Sequence, residues 1–183
     1  GVAAGTYPVR RAYGEAIVRI LANGSVEVES SSIDMGQGTY TILAQTAAET
    51  VGVPADDVVV KLGDSRFPRA GVTGGSRLAG VMTGAVYKAA TSALDQLIGL
   101  AISDPRSPFH ALQANTLVVA NGRIASPRGD GPDLSIAELL KSVGRDHIEA
   151  TGETMPANST AQDRYKNYNT IAMSLPHTEG DYS

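Results

Sequence analysis

Two Asn-Gly dipeptides, each set between short alternating apolar stretches, narrow the possible folds more than anything else in this chain. Ala16, Val18 and Ile20 alternate with Ile17, Arg19 and Leu21 ahead of Asn23-Gly24. Val26 and Val28 alternate with Ser25, Glu27 and Glu29 behind it. Both turn residues tolerate positive φ, so 14–29 is predicted to be an antiparallel hairpin. Leu117-Val118-Val119, Asn121-Gly122 and Arg123-Ile124-Ala125 predict a second hairpin at 116–125. Two stretches have helical spacing instead. The first, 39–51, carries Ile42, Leu43, Thr46, Ala47 and Thr50 on one stripe, and Gly52 and Pro54 end it. The second, 77–102, repeats Leu78, Val81, Met82, Ala85, Ala89, Leu94, Leu97, Ile98 and Ala101 at steps of three and four. Residues 57–62 and 147–151 read as strands. Leu134-Ser135 reads as the cap of a short helix through Val143, and 126–133 as a Pro/Gly linker.

Strands and helices are thus mixed, and the hairpins favour antiparallel pairing. The expected fold is α+β and not doubly wound: antiparallel hairpins plus two main helices packed on a mixed sheet, in one domain. That domain is expected to span 1–153. The polar, aperiodic remainder, 154–183, reads as an extended or poorly ordered tail leading into a missing C-terminal part. The chain opens on Gly1-Val2-Ala3-Ala4-Gly5 with no signal-peptide pattern, and it reads as an internal piece of a longer protein.

Composition removes several classes of function. With 15 basic and 19 acidic side chains the net charge is −4. That opposes a nucleic-acid groove or an anionic membrane surface, since both require a basic field. No apolar run approaches the roughly 20 residues that span a bilayer. There are no cysteines, so disulfides, thiolate metal sites and cysteine nucleophiles are absent. His110, His147 and His177 lack metal-ligand spacing, and no metal ligand is expected in the chain. Asp64 follows a strand and reads as a turn residue before a catalytic one.

Two glycine loops, each feeding a helix, remain as candidates for chemistry. Asp34-Met35-Gly36-Gln37-Gly38-Thr39 exposes backbone N–H groups at a helix start, a geometry suited to phosphate. It lacks the Lys-Ser/Thr of a P-loop and the third glycine of a dinucleotide fingerprint. Thr73-Gly74-Gly75-Ser76 leads into the second helix, with Ser76 as the natural N-cap. Each loop alone reads as a cap. Two in one small domain favour convergence on a single anion.

These residues resemble the molybdenum-binding subunit of the xanthine dehydrogenase/aldehyde oxidase family. The similarity runs through Gly1–Pro8, the first hairpin, Asp34-Met35-Gly36-Gln37-Gly38-Thr39-Tyr40-Thr41, Leu43-Ala44-Gln45, Leu62-Gly63-Asp64-Ser65, and Gly74-Gly75-Ser76-Arg77 to Gly84-Ala85-Val86. It covers about 1–105 well and the rest by element order. The resemblance implies a molybdenum hydroxylase, an oxidoreductase that hydroxylates an aldehyde or N-heterocycle with water as the oxygen source. It implies molybdopterin, in the cytosine dinucleotide form, as the cofactor of the full-length protein. By the same resemblance Gly36, Gln37 and Gly38 contact phosphates or pterin, and Ala79, Gly80, Val81 and Met82 line the second cofactor loop. Gly80 or Met82 stands where several relatives carry serine, so only backbone donors are expected there.

The family's catalytic base is a glutamate in a Gly-x-Gly-Glu motif, which does not occur here. No catalytic residue is therefore assigned. The isolated piece is expected to be inactive, to hold no cofactor, and to self-associate through apolar surface meant for a missing neighbour. Implied partners are iron–sulfur and flavin subunits and a small aldehyde or heterocycle substrate, with no nucleic acid and no membrane. The implied compartment is the cytoplasm, with the periplasm as the alternative. The competing reading is a non-catalytic phosphate-binding or interaction α+β domain.

Overall fold

The computed structural model describes residues 1–5, 12–129, 131–156 and 158–160. Arg10-Arg11, His177 and the tail residues 161–183 lie outside the described residues. The first hairpin forms as its alternation requires. Strand β1 (Gly14–Leu21) pairs antiparallel with β2 (Val26–Ser30), Val18 opposite Val28 and Ile20 opposite Val26. All four of these side chains are fully buried. The Asn23 side chain closes the turn by accepting the Ser25 N–H at 3.0 Å.

Helix α1 (Thr39–Val51) then carries the chain back across the sheet, so β3 (Val58–Leu62) pairs parallel with β2. The hairpins alone point to antiparallel ladders. This parallel one arises because a helical crossover, not a tight turn, joins the two strands. Strand β7 (His147–Thr154) pairs antiparallel with β1 along all eight residues, from Leu21 opposite His147 to Gly14 opposite Thr154. It continues three residues beyond the stretch expected from sequence, so the expected tail begins on the last residue of a strand. The sheet order is β3-β2-β1-β7, and it is mixed.

A second sheet has the order β4-β5-β6: β4 (Val118–Ala120), β5 (Arg123–Ala125) and β6 (Asp133–Ser135). The supposed linker 126–133 thus ends in a strand, held by Arg123 Nε donating to Asp133 Oδ1 at 2.8 Å. Helix α3 (Ile136–Val143) follows at once through a capping box between Ser135 and Glu138.

Helix α2 (Leu78–Ser103) lies over β1 and β7. Its buried stripe is mostly small: Ala85, Ala89, Ala93 and Ala101 sit beside Val81, Met82 and Leu97. This lets the helix backbone approach the sheet closely. At Gly152 of β7 a Cβ would overlap the Ala85 carbonyl oxygen and the Ala89 nitrogen. The Thr154 hydroxyl fastens the same junction by donating to the Val81 carbonyl at 3.0 Å. The opposite face of the sheet carries charge. Arg19 pairs with Glu29 at 2.7 Å and with Glu149, and Lys61 pairs with Glu27 at 2.8 Å. These partners raise the pKa of both Arg19 and Lys61, Glu29 chiefly for the first and Glu27 for the second. Among the described residues no helix is long and apolar enough to cross a membrane.

Candidate functional site

The loop between β2 and α1 folds onto itself. Gly36 (φ 104°) and Gly38 (φ 82°) occupy the left-handed region, where a residue with a Cβ is strained. Their turns bring the Asp34 carboxylate to the start of α1. It accepts the Gly36 N–H at 2.6 Å and the Tyr40 N–H at 3.4 Å. The amide of Gly36 first, then those of Tyr40, Thr39 and Gly38, hold the Asp34 carboxyl below the usual aspartate range. The Gln37 amide lies back along the same loop. It accepts the Met35 N–H at 2.7 Å and donates to Thr39 Oγ1 at 2.7 Å and to the Ile33 carbonyl at 3.2 Å. The positive end of α1 is therefore already met by a carboxylate of its own chain.

The loop into α2 is built differently. Gly75 and Ser76 are consecutive left-handed residues (φ 60° and 54°). Ser76, expected as the N-cap, is one residue short of it. The cap is Arg77, with no side-chain cap bond and no acidic residue in the first turn. Arg77 is 6% exposed, and its Nε donates to the Val72 carbonyl at 3.2 Å.

The two loops converge. A cavity of about 420 Å³ is lined by Met35, Gln37, Thr39 and Ile42 from one side and by Thr73, Gly74, Ser76, Arg77, Leu78 and Ala79 from the other. Of the seven residues expected from sequence, Gln37 and Ala79 face each other across it. Gly36 and Gly38 flank Gln37 and set its loop. Gly80 and Val81 line a separate cavity of about 270 Å³ with Gly84, Tyr87 and Thr154. Met82 is fully buried in the core, because the stripe that packs α2 on the sheet includes it. A third cavity, about 730 Å³ and lined by Ser31, Ser32, Ser65, Arg69 and Thr73 among others, adjoins these loops. The Ser32 hydroxyl is buried there without a partner.

Sequence reasoning did not find Arg77. The available signal was a cation placed between a Gly-Gly-Ser turn and the apolar start of a long helix. Asp64 is a turn residue, as its position suggests. It accepts the Arg66 N–H at 2.9 Å, and the Arg66 guanidinium holds its carboxyl down to about 2.

The 420 Å³ cavity carries one formal charge, that of Arg77, and no Asp, Glu or His lines it. No side chain lining it is a carboxylate or imidazole that could do acid–base chemistry. Among the described residues no group of three or more His, Cys, Asp or Glu could hold a metal ion. Fold and cleft together describe an α+β domain with a cavity between two glycine loops.

The chain belongs to the molybdopterin cofactor-binding domain family, whose model matches residues 1–181. It is 46% identical over 106 residues to the aldehyde oxidoreductase molybdenum-binding subunit PaoC of Escherichia coli (strain K12), covering 57% of this chain and 14% of that protein. It is 37% identical over 87 residues to the nicotine 6-hydroxylase large subunit of Paenarthrobacter nicotinovorans, covering 47% of this chain and 11% of that protein. Among solved structures, quinoline 2-oxidoreductase from Pseudomonas putida 86 matches with a TM-score of 0.67 and 26% identity, covering 80% of this chain and 19% of that one. The chain thus spans less than a fifth of each of these relatives.

Proposed function

We propose that this chain is part of the molybdenum-binding subunit of a molybdenum hydroxylase acting on an aldehyde or N-heterocycle, and that the cleft between its glycine loops holds the molybdopterin. The residues present fit such a group. The cleft is walled by the Gly36-Gln37-Gly38 loop and the start of α2, and its one buried charge is a cation without a carboxylate partner among the described residues. Molybdopterin carries a phosphate, which suits that charge, and when bound it supplies the redox chemistry through its metal.

The chain's own part is placement. Asp34 and Gln37 hold the first loop in one conformation. The small-residue stripe of α2 fixes the second loop against the sheet. Thr39, Thr73 and Ser76 offer hydroxyls along the wall. Gly80 and Val81 belong to a separate cavity and Met82 to the core, so they support the helix that carries the second loop.

The cytosine dinucleotide form, iron–sulfur and flavin partner subunits and a cytoplasmic location complete the proposal. Its carrying observation is the convergence of Gln37 and Ala79 on one cavity. The test is to purify the full-length subunit and measure molybdenum and released pterin per chain. Near-stoichiometric content is expected, with oxygen from labelled water entering the product of an aldehyde or heterocycle. A full-length subunit free of pterin would overturn the reading.

A further inference from the structure

The chain carries two Asn-Gly dipeptides, and the structure holds them differently. In such a dipeptide the glycine nitrogen can attack the carbonyl carbon of the asparagine side chain, because glycine puts no Cβ in the way. The Asn23 side chain is tied away from Gly24. Its Oδ1 accepts the Ser25 N–H at 3.0 Å and the Ser25 hydroxyl at 2.7 Å. Asn121 is exposed, and its side chain takes part in no hydrogen bond among the described residues. It forms the turn between β4 and β5 with Gly122, both at positive φ (49° and 70°).

Gly122 is also a junction. Its N–H donates to the Gly52 carbonyl, at the end of α1, at 2.9 Å. Its carbonyl accepts the N–H of Ile136, the first residue of α3, at 2.9 Å. One residue thus ties the small sheet to α1 on one side and to α3 on the other.

We propose that Asn121 is a site of spontaneous covalent modification, converted with time to aspartate and isoaspartate. The Gly122 nitrogen bonds to Asn121 Cγ, the Cγ–Nδ2 bond breaks, and Nδ2 leaves as ammonia with the proton of the Gly122 amide. Water then opens the cyclic imide at either of its carbonyls. The net change is a side-chain amide and a water molecule converted to a carboxylate and ammonium, with nothing oxidised or reduced. The Gly122 N–H must leave the Gly52 carbonyl before it reacts, so the rate follows local opening at this junction. The imide has no N–H to return to Gly52. Opening to isoaspartate then routes the main chain through the former side chain and lengthens it by a methylene, which pulls Gly122 out of register with both Gly52 and Ile136.

The test incubates the full-length subunit, as wild type and Ser25→Ala, in mildly alkaline buffer made with heavy-oxygen water. Peptides around Asn23 and Asn121 are followed by mass spectrometry. Asn121 is expected to take up label roughly tenfold faster than Asn23, the scale of the two exposed bonds that hold Asn23, about 1.36 kcal/mol per tenfold. Ser25→Ala removes the hydroxyl bond and is expected to speed Asn23 roughly threefold while leaving Asn121 unchanged. In aged protein, amide hydrogen exchange at Ile136 is expected to quicken in step with isoaspartate content, with β1 and β2 unaffected. Uptake at Asn121 no faster than at Asn23 would overturn the assignment. An Asn23 rate that Ser25→Ala leaves unchanged would overturn the reason given for the difference. Isoaspartate at 121 with Ile136 exchange as in fresh protein would overturn the role given to Gly122. Should Ser25→Ala fail to fold, the two wild-type rates decide.

Discussion

The two helix starts that face each other across the cleft solve the same electrostatic problem in opposite ways. At α1 the chain provides its own anion, Asp34, and ties the loop shut with the Gln37 amide. At α2 it provides no acid and buries a cation, Arg77, beside uncapped amides. One start is met by a carboxylate of its own chain; the other has no side-chain cap and no acid in its first turn. A Gly-x-Gly turn before a helix therefore does not by itself mark an anion site. What marks one is the absence of an internal carboxylate where the helix end would attract it.

Substitutions at and behind the two starts test that contrast. The largest effect is expected at Gly152, which lets α2 lie against β7. Gly152→Ala should destabilise the protein by about 3 kcal/mol, read from urea unfolding, because the added methyl meets helix backbone with nowhere to relax. It should also displace the α2 wall of the cleft while leaving α1 in place; an unchanged midpoint would show that α2 is not so tightly seated. Next is Arg77→Met in cofactor-free protein, where the contrast predicts a gain. Replacing a buried cation that has no carboxylate partner among the described residues with an apolar side chain should raise stability by roughly 1–2 kcal/mol. A clear loss would mean that Arg77 is a packing element and not one half of a pair.

Asp34→Asn should lower the melting midpoint by roughly 1–2 °C, since Asn keeps one acceptor oxygen for the loop amides and loses only the charge near the start of α1. Its pH dependence has a definite sign. The Asp34 carboxyl is held down by amides in the folded state, so its contribution is full above the unfolded value of about 3.9. It is lost as the pH falls through the lower folded value. The gap between wild type and Asp34→Asn should therefore be widest near neutrality and close in strong acid; a gap that grows on acidification would remove Asp34 from the α1 start. The smallest effect on folding is expected for Gln37→Ala. Its bonds are exposed and local, so the cost should stay below about 1 kcal/mol, while pterin retention in the full-length subunit weakens.

Much of this architecture is legible in the sequence because the signals are local. Asn23-Gly24 fixes β1 and β2, the 39–51 stripe ends on its glycine, and Ser135 with Glu138 opens α3. What the sequence hides is long-range. The parallel β2–β3 ladder depends on where α1 returns the chain. Strand β6 depends on Arg123 reaching Asp133. The last three residues of β7 are drawn out by the full length of β1. At the site, the two loops and their meeting are visible as motifs. Which residues of 76–82 line the cleft is not, because the cleft lies at the end of α2: Ser76 to Ala79, around the helix start, line it, while Met82, almost a turn further along, packs in the core. The engagement of α1 by Asp34 is a matter of side-chain direction, which spacing does not record.

Gly52 has a consequence for how such a domain can be altered. It closes α1 at φ 86° with its N–H on the Ala48 carbonyl, its own carbonyl accepts the Gly122 N–H at 2.9 Å, and a Cβ there would overlap the carbonyl of Val119. The small sheet is thus latched to the main body at this point by bare polypeptide. Surface residues of that sheet are free to drift or be redesigned at little expense to the cleft, provided this latch stays unadorned and Ile124 keeps its place in the shared core.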